Sequence, residues 1–203
     1  MPMVDILGSI DEKIEQNKQI IEKLEDIMST RYLELISGGC ISLKLSDYIN
    51  VLTGKLDANA ADPNGIYPFF TCGITPEQID TYAFDCEAII IAGNGNFNVK
   101  YYNGKFNAYQ RTYVITANKY FHFIIQHYKS KVNEWTGSAK GSVIKFLTKS
   151  MLTDDEFQIS TDSSKNEAYS KFCAASQKQI KHLQLLNAKL RELKTLYLKK
   201  FFS

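Results

Sequence analysis

Both ends of this 203-residue chain carry apolar residues at alternating spacings of four and three. That spacing is the period of a coiled-coil seam, so it predicts a long helix at each end that must bury its stripe against another helix. In the first stripe, Ser9 and Glu12 form a capping-box pattern that predicts a helix start near Ile10. The Gly38–Gly39 pair predicts the end of this helix.

The second stripe runs from about Glu167 to Phe202, after the serine-rich segment STDSSKN at 160–166. We predict that the two helices pair with each other as an antiparallel coiled-coil stalk. The polar faces of the two helices carry a mixture of Glu and Lys, which disfavours a membrane surface as the partner. The residues expected to face a partner helix, in the stalk or in a dimer, are Ile14, Asn17, Ile21, Leu24, Met28, Leu183, Leu186, Leu190 and Leu193.

The middle of the chain loses the helical period and reads as short strands separated by Gly, Asn, Asp and Pro. The strand-like runs are YPFFTC, CEAIIIAG, NVKYYNG and KFNAYQRTYVI, and YFHFIIQHYKSKVNEW is the main helical candidate. The sequence therefore predicts an α+β protein in which a mixed domain, residues 40–160, is flanked by helices at 1–39 and 161–203.

No sequence pattern of a common enzyme class is present. The chain has no GxSxG, HExxH, P-loop or dinucleotide-binding motif, and its three histidines match no metal pattern. The four cysteines lack CxxC spacing, which predicts reduced thiols in a cytoplasmic protein. No stretch is long and apolar enough to cross a membrane. We predict a non-enzymatic protein with no cofactor, no metal and no membrane partner.

The stretch GNGNFNVKYYNGKFNAYQRTYVI at 93–115 concentrates amides, tyrosines and isolated positive charge without a single acid. Asn and Gln suit adenine in the major groove, and Arg and Lys suit guanine or phosphate. The alternative is that the NG and GN steps are only hairpin turns, and that Gln110 and Arg111 lie on a solvated strand or in a structural ion pair. The residues expected to face DNA are Lys55, Tyr67, Thr71, Asn94, Asn96, Asn98, Gln110, Arg111 and Lys140.

Several segments together resemble the DNA specificity subunits of type I restriction–modification systems. KLSDYINVLTGKLDANAADPNGIYPFFTCG is similar to the opening of that family's target-recognition domain. FDCEAIIIAGNGN resembles the family pattern F-D-G-E-x-I-L-I-x-G-x-G, with Cys86 where Gly is usual. VKYYNGKFNAYQRTYVI and TGSAKGSVIKFLTKSML resemble the following strands and the close of the domain, and LGSIDEKIEQNKQIIEKLE resembles the spacer helix. The proline-rich entry to the second helix is replaced here by ISTDSSKNEAYSKF.

The resemblance implies a subunit without catalytic activity of its own. Residues 40–160 would be the target-recognition domain, and 1–39 and 161–203 the spacer helices. The implied partners are double-stranded DNA, adenine methyltransferase subunits and motor-nuclease restriction subunits. Because full members carry two recognition domains, the chain resembles a half-subunit that reads one half-site. A homodimer would then read a palindromic site with a nonspecific spacer.

Two other functions remain open at this stage. The chain would bind no DNA in a salt-dependent way if it were a coiled-coil scaffold for protein interactions. It would need a catalytic domain, absent from this sequence, if it were the recognition portion of a single-chain restriction–methylation enzyme.

Overall fold

The computed structural model describes residues 2–137 and 146–202, which fall into two compact units. The helix unit comprises residues 1–39 and 162–203, and the sheet unit comprises residues 40–161. The helices are α1 (Pro2–Ser37), α2 (Phe121–Trp135), α3 (Lys149–Thr153) and α4 (Ser163–Phe202). The strands are β1 (Cys40–Lys44), β2 (Ile49–Thr53), β3 (Tyr67–Phe70), β4 (Glu77–Ile79), β5 (Phe84–Ala92), β6 (Val99–Ala108), β7 (Thr112–Ala117) and β8 (Glu156–Ser160).

In the helix unit, α1 and α4 run antiparallel. Contacts pair the beginning of one helix with the end of the other: Lys194 bonds the carboxylate of Asp11 at 2.6 Å, and the Tyr169 hydroxyl donates to the carbonyl of Met28 at 3.0 Å. The predicted antiparallel pairing is therefore present, whereas coiled-coil packing of the seam stays a prediction. With 36 residues, α1 is about 54 Å long at about 1.5 Å per residue.

The predicted start of α1 was wrong. The helix already begins at Pro2, and the Ser9 hydroxyl donates to the carbonyl of Ile6 at 2.8 Å, within the helix. Ser9 thus makes the back-bond of a mid-helix serine and is not a cap. The predicted end of the helix is confirmed, since α1 stops at Ser37 and Gly39 has a φ of 114°.

Two buried asparagines face each other in the seam. The amide nitrogen of Asn17 donates to the side-chain oxygen of Asn187 at 2.7 Å, and both residues are almost fully buried. Asn187 was missed by the sequence analysis, and the predicted Leu193 lies outside the seam with 42% of its surface exposed. On α4 the positions that face α1 run through Ile180, Leu183, Asn187, Leu190 and Lys194, and two of these five residues, Asn187 and Lys194, are polar. A prediction that looks only for apolar residues therefore replaces them with neighbouring leucines such as Leu193.

Helix α4 begins earlier than the expected position near Glu167. Asp162 caps the helix: one of its carboxylate oxygens accepts from the backbone amides of Ser164 and Lys165 at 2.9 and 3.2 Å. These bonds hold the pKa of Asp162 below its ordinary value. The segment that replaces the proline-rich entry thus starts the helix by side-chain capping.

The sheet unit is built on six strands in the order β2-β7-β5-β6-β3-β4, and β1 pairs separately with β8. All pairs are antiparallel except β3 with β6. Strand β5 lies between β7 and β6 and is buried on both faces. One face holds the cluster of Ala88, Ile90, Phe106 and Val114, and Ile89 and Ile91 alternate to the other face. This arrangement explains the uninterrupted apolar run of the predicted strand CEAIIIAG.

Two local predictions for this part of the sheet were wrong: a step predicted as a turn lies within a strand, and a segment predicted as a strand contains the turn. Asn103 and Gly104 lie inside the continuous strand β6, where Gly104 has a φ of 140°, so this NG step is not a turn. The chain instead turns at Tyr109–Arg111, where the Thr112 amide bonds the Tyr109 carbonyl at 2.8 Å. Gln110 and Arg111 therefore lie on a turn and not on a strand face, and both are exposed.

A charged network joins α2 to the loop before β8. Asp155 accepts from buried His127 at 3.1 Å and from Lys131 at 3.0 Å, and its other oxygen accepts from the Glu156 amide. Burial lowers the pKa of His127 below its ordinary value of 6.5. Burial raises the pKa of Asp155, but its bonds to Glu156 and Lys131 outweigh burial and hold that pKa below its ordinary value.

The shift at His127 predicts acid sensitivity near neutral pH. Between pH 7 and 5 the unfolded chain takes up a proton at His127 that the folded chain resists, so the free energy of unfolding falls as the pH falls. The Asp155 contribution is lost at lower pH, below its ordinary pKa of 3.8. Melting temperatures between pH 7.5 and 5 should fall less in His127→Gln than in wild type. His182→Gln, on exposed helix surface, is the matched control and should keep the wild-type slope.

Candidate nucleic-acid interface

Backbone hydrogen bonds bring three distant segments of the sheet unit together. The Gly54 amide donates to Thr112 at 3.2 Å, and the Gln110 amide donates to Leu56 at 2.9 Å. The Gly93 amide donates to the Arg111 carbonyl at 2.8 Å. The TGK motif (residues 53–55), the loop after β5 and the turn before β7 therefore meet at one place on the surface.

A surface cavity of about 170 Å³ lies where these segments meet. Three of the predicted DNA-facing residues, Asn94, Gln110 and Arg111, line it. Lys55 is exposed beside it, one residue before the Leu56 carbonyl that binds Gln110. The remaining lining residues are Thr53, Gly93, Tyr113, Phe146 and Leu147. This cavity presents amides and a guanidinium, which are the groups that read base edges.

The Arg111 guanidinium has no hydrogen bond or ion pair within the described part of the chain, and the residue is exposed. Its backbone carbonyl is engaged by Gly93, so the position of the residue is fixed while its charge faces solvent. The structural ion pair considered for Arg111 in the sequence analysis is therefore absent from residues 2–137 and 146–202.

The loop between β5 and β6 carries the three predicted asparagines in different environments. Asn96 is exposed, whereas Phe97 is buried and its ring centroid lies 6.4 Å from that of Trp135. Asn94 and Asn98 are half-buried, and the Cys72 thiol donates to the Asn94 side-chain oxygen at 2.7 Å. The Asn98 amide nitrogen donates to the carbonyls of Cys72 and Asn96 at 3.0 and 2.7 Å. Asn98 is thus committed to the protein itself.

Two further predicted residues do not join the cavity. Thr71 is buried, and its hydroxyl donates to Glu77 at 3.1 Å. Tyr67 lies at the opposite end of β3, about 13 Å along the strand from Thr71 at about 3.3 Å per residue. Its ring packs on Tyr82 with centroids 5.0 Å apart, and Lys105 lies over the Tyr82 ring. Lys140, the ninth predicted residue, falls in 138–145, outside the described residues.

Lys100 and Cys72, neither of which was predicted, hold the loop between β5 and β6 through hydrogen bonds to Asn98. Lys100 is half-buried on β6, and its ammonium donates to the Asn98 side-chain oxygen. Desolvation by burial lowers the pKa of Lys100 to about 8. The Cys72 contact has no local signal, because Cys72 and its partner Asn94 are 22 positions apart. Lys100 and Asn98 are only two positions apart, but residue type and spacing do not show that this lysine is half-buried.

Within residues 2–137 and 146–202, no group of three or more His, Cys, Asp or Glu side chains is placed to hold a metal ion. Within the same residues, no helix combines the length and the apolar character needed to cross a membrane.

Comparison with known proteins identifies the family. The family model for the type I restriction modification DNA specificity domain matches residues 42–182. The specificity subunit of the type I restriction enzyme EcoDI from Escherichia coli is 44% identical over 117 residues, which are 56% of this chain and 26% of that protein. The matched part of the chain thus spans about a quarter of the length of this curated relative.

Solved structures show the same fold. The S subunit of a type I restriction–modification system from M. genitalium matches with a TM-score of 0.73 and 15% identity, over 98% of this chain and 59% of that one. The HsdS subunit from Thermoanaerobacter tengcongensis matches with a TM-score of 0.51 and 13% identity, over 98% of this chain and 56% of that one. These matches confirm the predicted α+β class with a sheet domain and long helices. Since the family model covers more than half of its residues, the chain belongs to the DNA specificity family of type I restriction–modification systems.

Proposed function

We propose that this chain reads one half-site of duplex DNA for a type I restriction–modification complex and contributes no catalytic group of its own. The observation that carries the proposal is the convergence of Asn94, Gln110 and Arg111 on one cavity of the sheet unit, with Lys55 beside it. Amide side chains bond adenine edges in pairs, and an arginine fork bonds guanine.

We divide the nine predicted residues by what their side chains are free to do. Gln110, Arg111 and Asn96 are the exposed readers, and Asn94 keeps its amide nitrogen for DNA. Lys55 and Lys140 are assigned to phosphates, which fix the position of the protein without reading sequence. Thr71 and Asn98 support the loops, and Tyr67 belongs to a separate aromatic patch.

The helix unit is proposed to dock adenine methyltransferase subunits, which supply the S-adenosylmethionine chemistry, and to accept restriction subunits within the larger complex. Its support is an outer apolar face, which we define as Ile6, Ile20 and Ile27 of α1 with Leu186, Leu193 and Leu196 of α4. Five of these side chains are exposed and Leu186 is half-buried. Ile20 and Ile27 repeat at seven residues beside the seam, the spacing of a second contact stripe.

The charges beside this face select its partner. The strip of α1 that carries this face consists of positions spaced three and four residues apart from Ile6 to Thr30, and it contains Lys13 and Lys23 but no acid. The corresponding strip of α4 contains Lys189 and Lys200. An apolar helix rimmed by carboxylates would complement this face, whereas an identical basic face would meet it with like charges.

We also propose that the functional assembly contains two recognition domains related by two-fold symmetry, as a homodimer reading a palindromic bipartite site. The seam stripes do not require that dimer, because α1 and α4 bury them against each other within one chain. Dimerisation rests on the need for two half-site readers and uses surface outside the seam.

Selection of duplexes from a random pool by the full chain tests the proposal. Arg111→Ala and Gln110→Ala should each weaken binding to the selected duplex by about 1–3 kcal/mol and change binding to random duplex little, because they remove base contacts. Melting temperatures should stay near wild type, since Arg111 has no ion pair to lose in the described residues.

Arg191→Ala provides the same chemical change on exposed helix surface and should bind both duplexes as wild type does. Failure of the wild-type chain to enrich any sequence would contradict DNA reading and favour the protein-scaffold function. Equal losses on selected and random duplex would reassign Arg111 to a phosphate contact.

A further inference from the structure

Lys100 is a half-buried cation that has no anionic partner in the described part of the chain. It lies on β6 directly opposite Ile90 of β5, next to the apolar cluster of that sheet face. Within the described residues its ammonium forms no ion pair, and its hydrogen-bond acceptor is the side-chain oxygen of Asn98. Residues 138–145 contain no Asp or Glu, so that segment offers no carboxylate either. A desolvated charge of this kind is costly and calls for a specific reason to be retained.

The bond from Lys100 is the first of a series that ends at the cavity. Asn98 accepts from Lys100 and donates to the backbone carbonyls of Cys72 and Asn96. Cys72, which follows β3, in turn donates to Asn94. The loop 93–98 is thereby tied through side chains to the end of β3, in addition to the backbone bond between Gly93 and Arg111.

We propose that Lys100 is a positioning residue for DNA recognition: by holding Asn98 it fixes the loop that presents Asn94 and Asn96 at the cavity. The inference rests on the proposed reading of DNA at this site. It removes Asn98 from the base readers, because both Asn98 donor contacts and its acceptor are directed at the protein. Lys100 itself acts through the loop and not by touching a base.

The proposal carries a pH dependence. Burial lowers the pKa of Lys100 to about 8, against a smaller opposing effect of the nearby Cys72 sulfur. Asn98 and Ile90, which face Lys100 from the loop and from β5, are uncharged. As the pH rises through 8 the cation is lost, and its hydrogen bond to Asn98 weakens because it is no longer assisted by charge. Affinity for the selected duplex should therefore fall between pH 7 and 9.

Lys100→Met and Lys100→Arg distinguish the effect of the charged hydrogen bond to Asn98 from the effect of side-chain size. At pH 7, Lys100→Met should bind the selected duplex about tenfold more weakly, the order expected for one hydrogen bond to a charged group, and random duplex as wild type does. Its affinity should not change further between pH 7 and 9. Lys100→Arg should restore binding and stay flat to pH 9, since arginine keeps its charge. Lys105→Met, at an exposed position of the same strand, is the matched control.

A measurement on the protein without DNA tests the contact between Lys100 and Asn98 independently of whether the chain reads DNA. The side-chain amide signals of Asn98 in nitrogen-15 NMR should titrate near pH 8 in wild type and not in Lys100→Arg. Absence of that titration, or wild-type duplex selectivity in a folded Lys100→Met, would overturn the positioning role even if the chain reads DNA. Equal loss on both duplexes would make Lys100 a phosphate contact and also overturn it. Failure of wild type to select any duplex, with the Asn98 titration present, would instead fault the proposed function.

Discussion

Replacing Gly54 with alanine is expected to destabilise the sheet unit by more than about 3 kcal/mol and to abolish selective DNA binding. A Cβ on Gly54 would lie 1.9 Å from the carbonyl oxygen of Ala108 and 2.4 Å from that of Tyr109, far inside van der Waals contact. Both neighbours are backbone atoms, so no side chain can turn away. The constraint is close approach, since Gly54 does not adopt the left-handed φ that would favour glycine for conformational reasons.

The loss of selective DNA binding is expected because the clash would push apart two segments that line the cavity. Relief of the clash requires Thr53–Leu56 to move away from 108–112, which breaks the bonds from Gly54 to Thr112 and from Gln110 to Leu56. Those bonds place Lys55 and Gln110 beside each other at the cavity. Close approach of two backbone carbonyls therefore explains why the TGK motif has glycine at position 54, which the sequence pattern alone did not explain.

Gly8→Ala is the control for this substitution. A Cβ on Gly8 would meet nothing within 4 Å, and the residue lies exposed within α1, where alanine is the better helix former by about 1 kcal/mol. Urea unfolding and duplex binding should show Gly8→Ala equal to or more stable than wild type. A Gly54→Ala chain that unfolds at the wild-type urea midpoint would show that the close approach is absent in solution.

Local periodicity predicted most of the fold because it is set by short-range geometry. The stripes that predicted α1 and α4 depend on spacing within one helix, and the helical candidate YFHFIIQHYKSKVNEW is α2. Errors arose where a polar residue occupies a buried position, as Asn187 does, or where glycine continues a strand, as Gly104 does in β6. Both exceptions depend on tertiary partners that spacing does not contain.

The candidate site was predicted in part for a related reason. Residue type alone singled out Asn94, Gln110 and Arg111 for DNA, and the structure places them around one cavity. Type alone could not separate Asn96 from Asn98, which differ only in where their amides point: one is exposed and the other is held by Cys72 and Lys100. The contact of this loop with Cys72, which follows β3, is a long-range property of the fold.

The largest effect on assembly is expected from Ile14→Asp, which should separate the paired helices. Ile14 is 8% exposed in the seam and precedes Asn17, whose amide bonds Asn187 of α4. An unpaired carboxylate at such a position costs several kcal/mol, on the order of 3–5, unless it protonates or moves to water. Circular dichroism should show a lower melting temperature for this variant, and binding to the methyltransferase should be lost together with the helix pair.

Ile20→Asp tests the outer apolar face of α1 without placing a charge in the seam of the same helix. Ile20 is 41% exposed, so a carboxylate there stays hydrated and the helix pair should melt as in wild type. Co-purification with the methyltransferase subunit should nevertheless fall, because the partner would have to bury that charge. Gln19→Asp adds the same charge at the preceding residue, on the exposed side of α1, and should leave both properties unchanged. Light scattering of the same variants at micromolar concentration reports the proposed homodimer.

If Ile20→Asp assembles like wild type while Ile14→Asp does not, the partner binds elsewhere on the helices. If Ile14→Asp is also unaffected, the seam itself is assigned to the wrong residues.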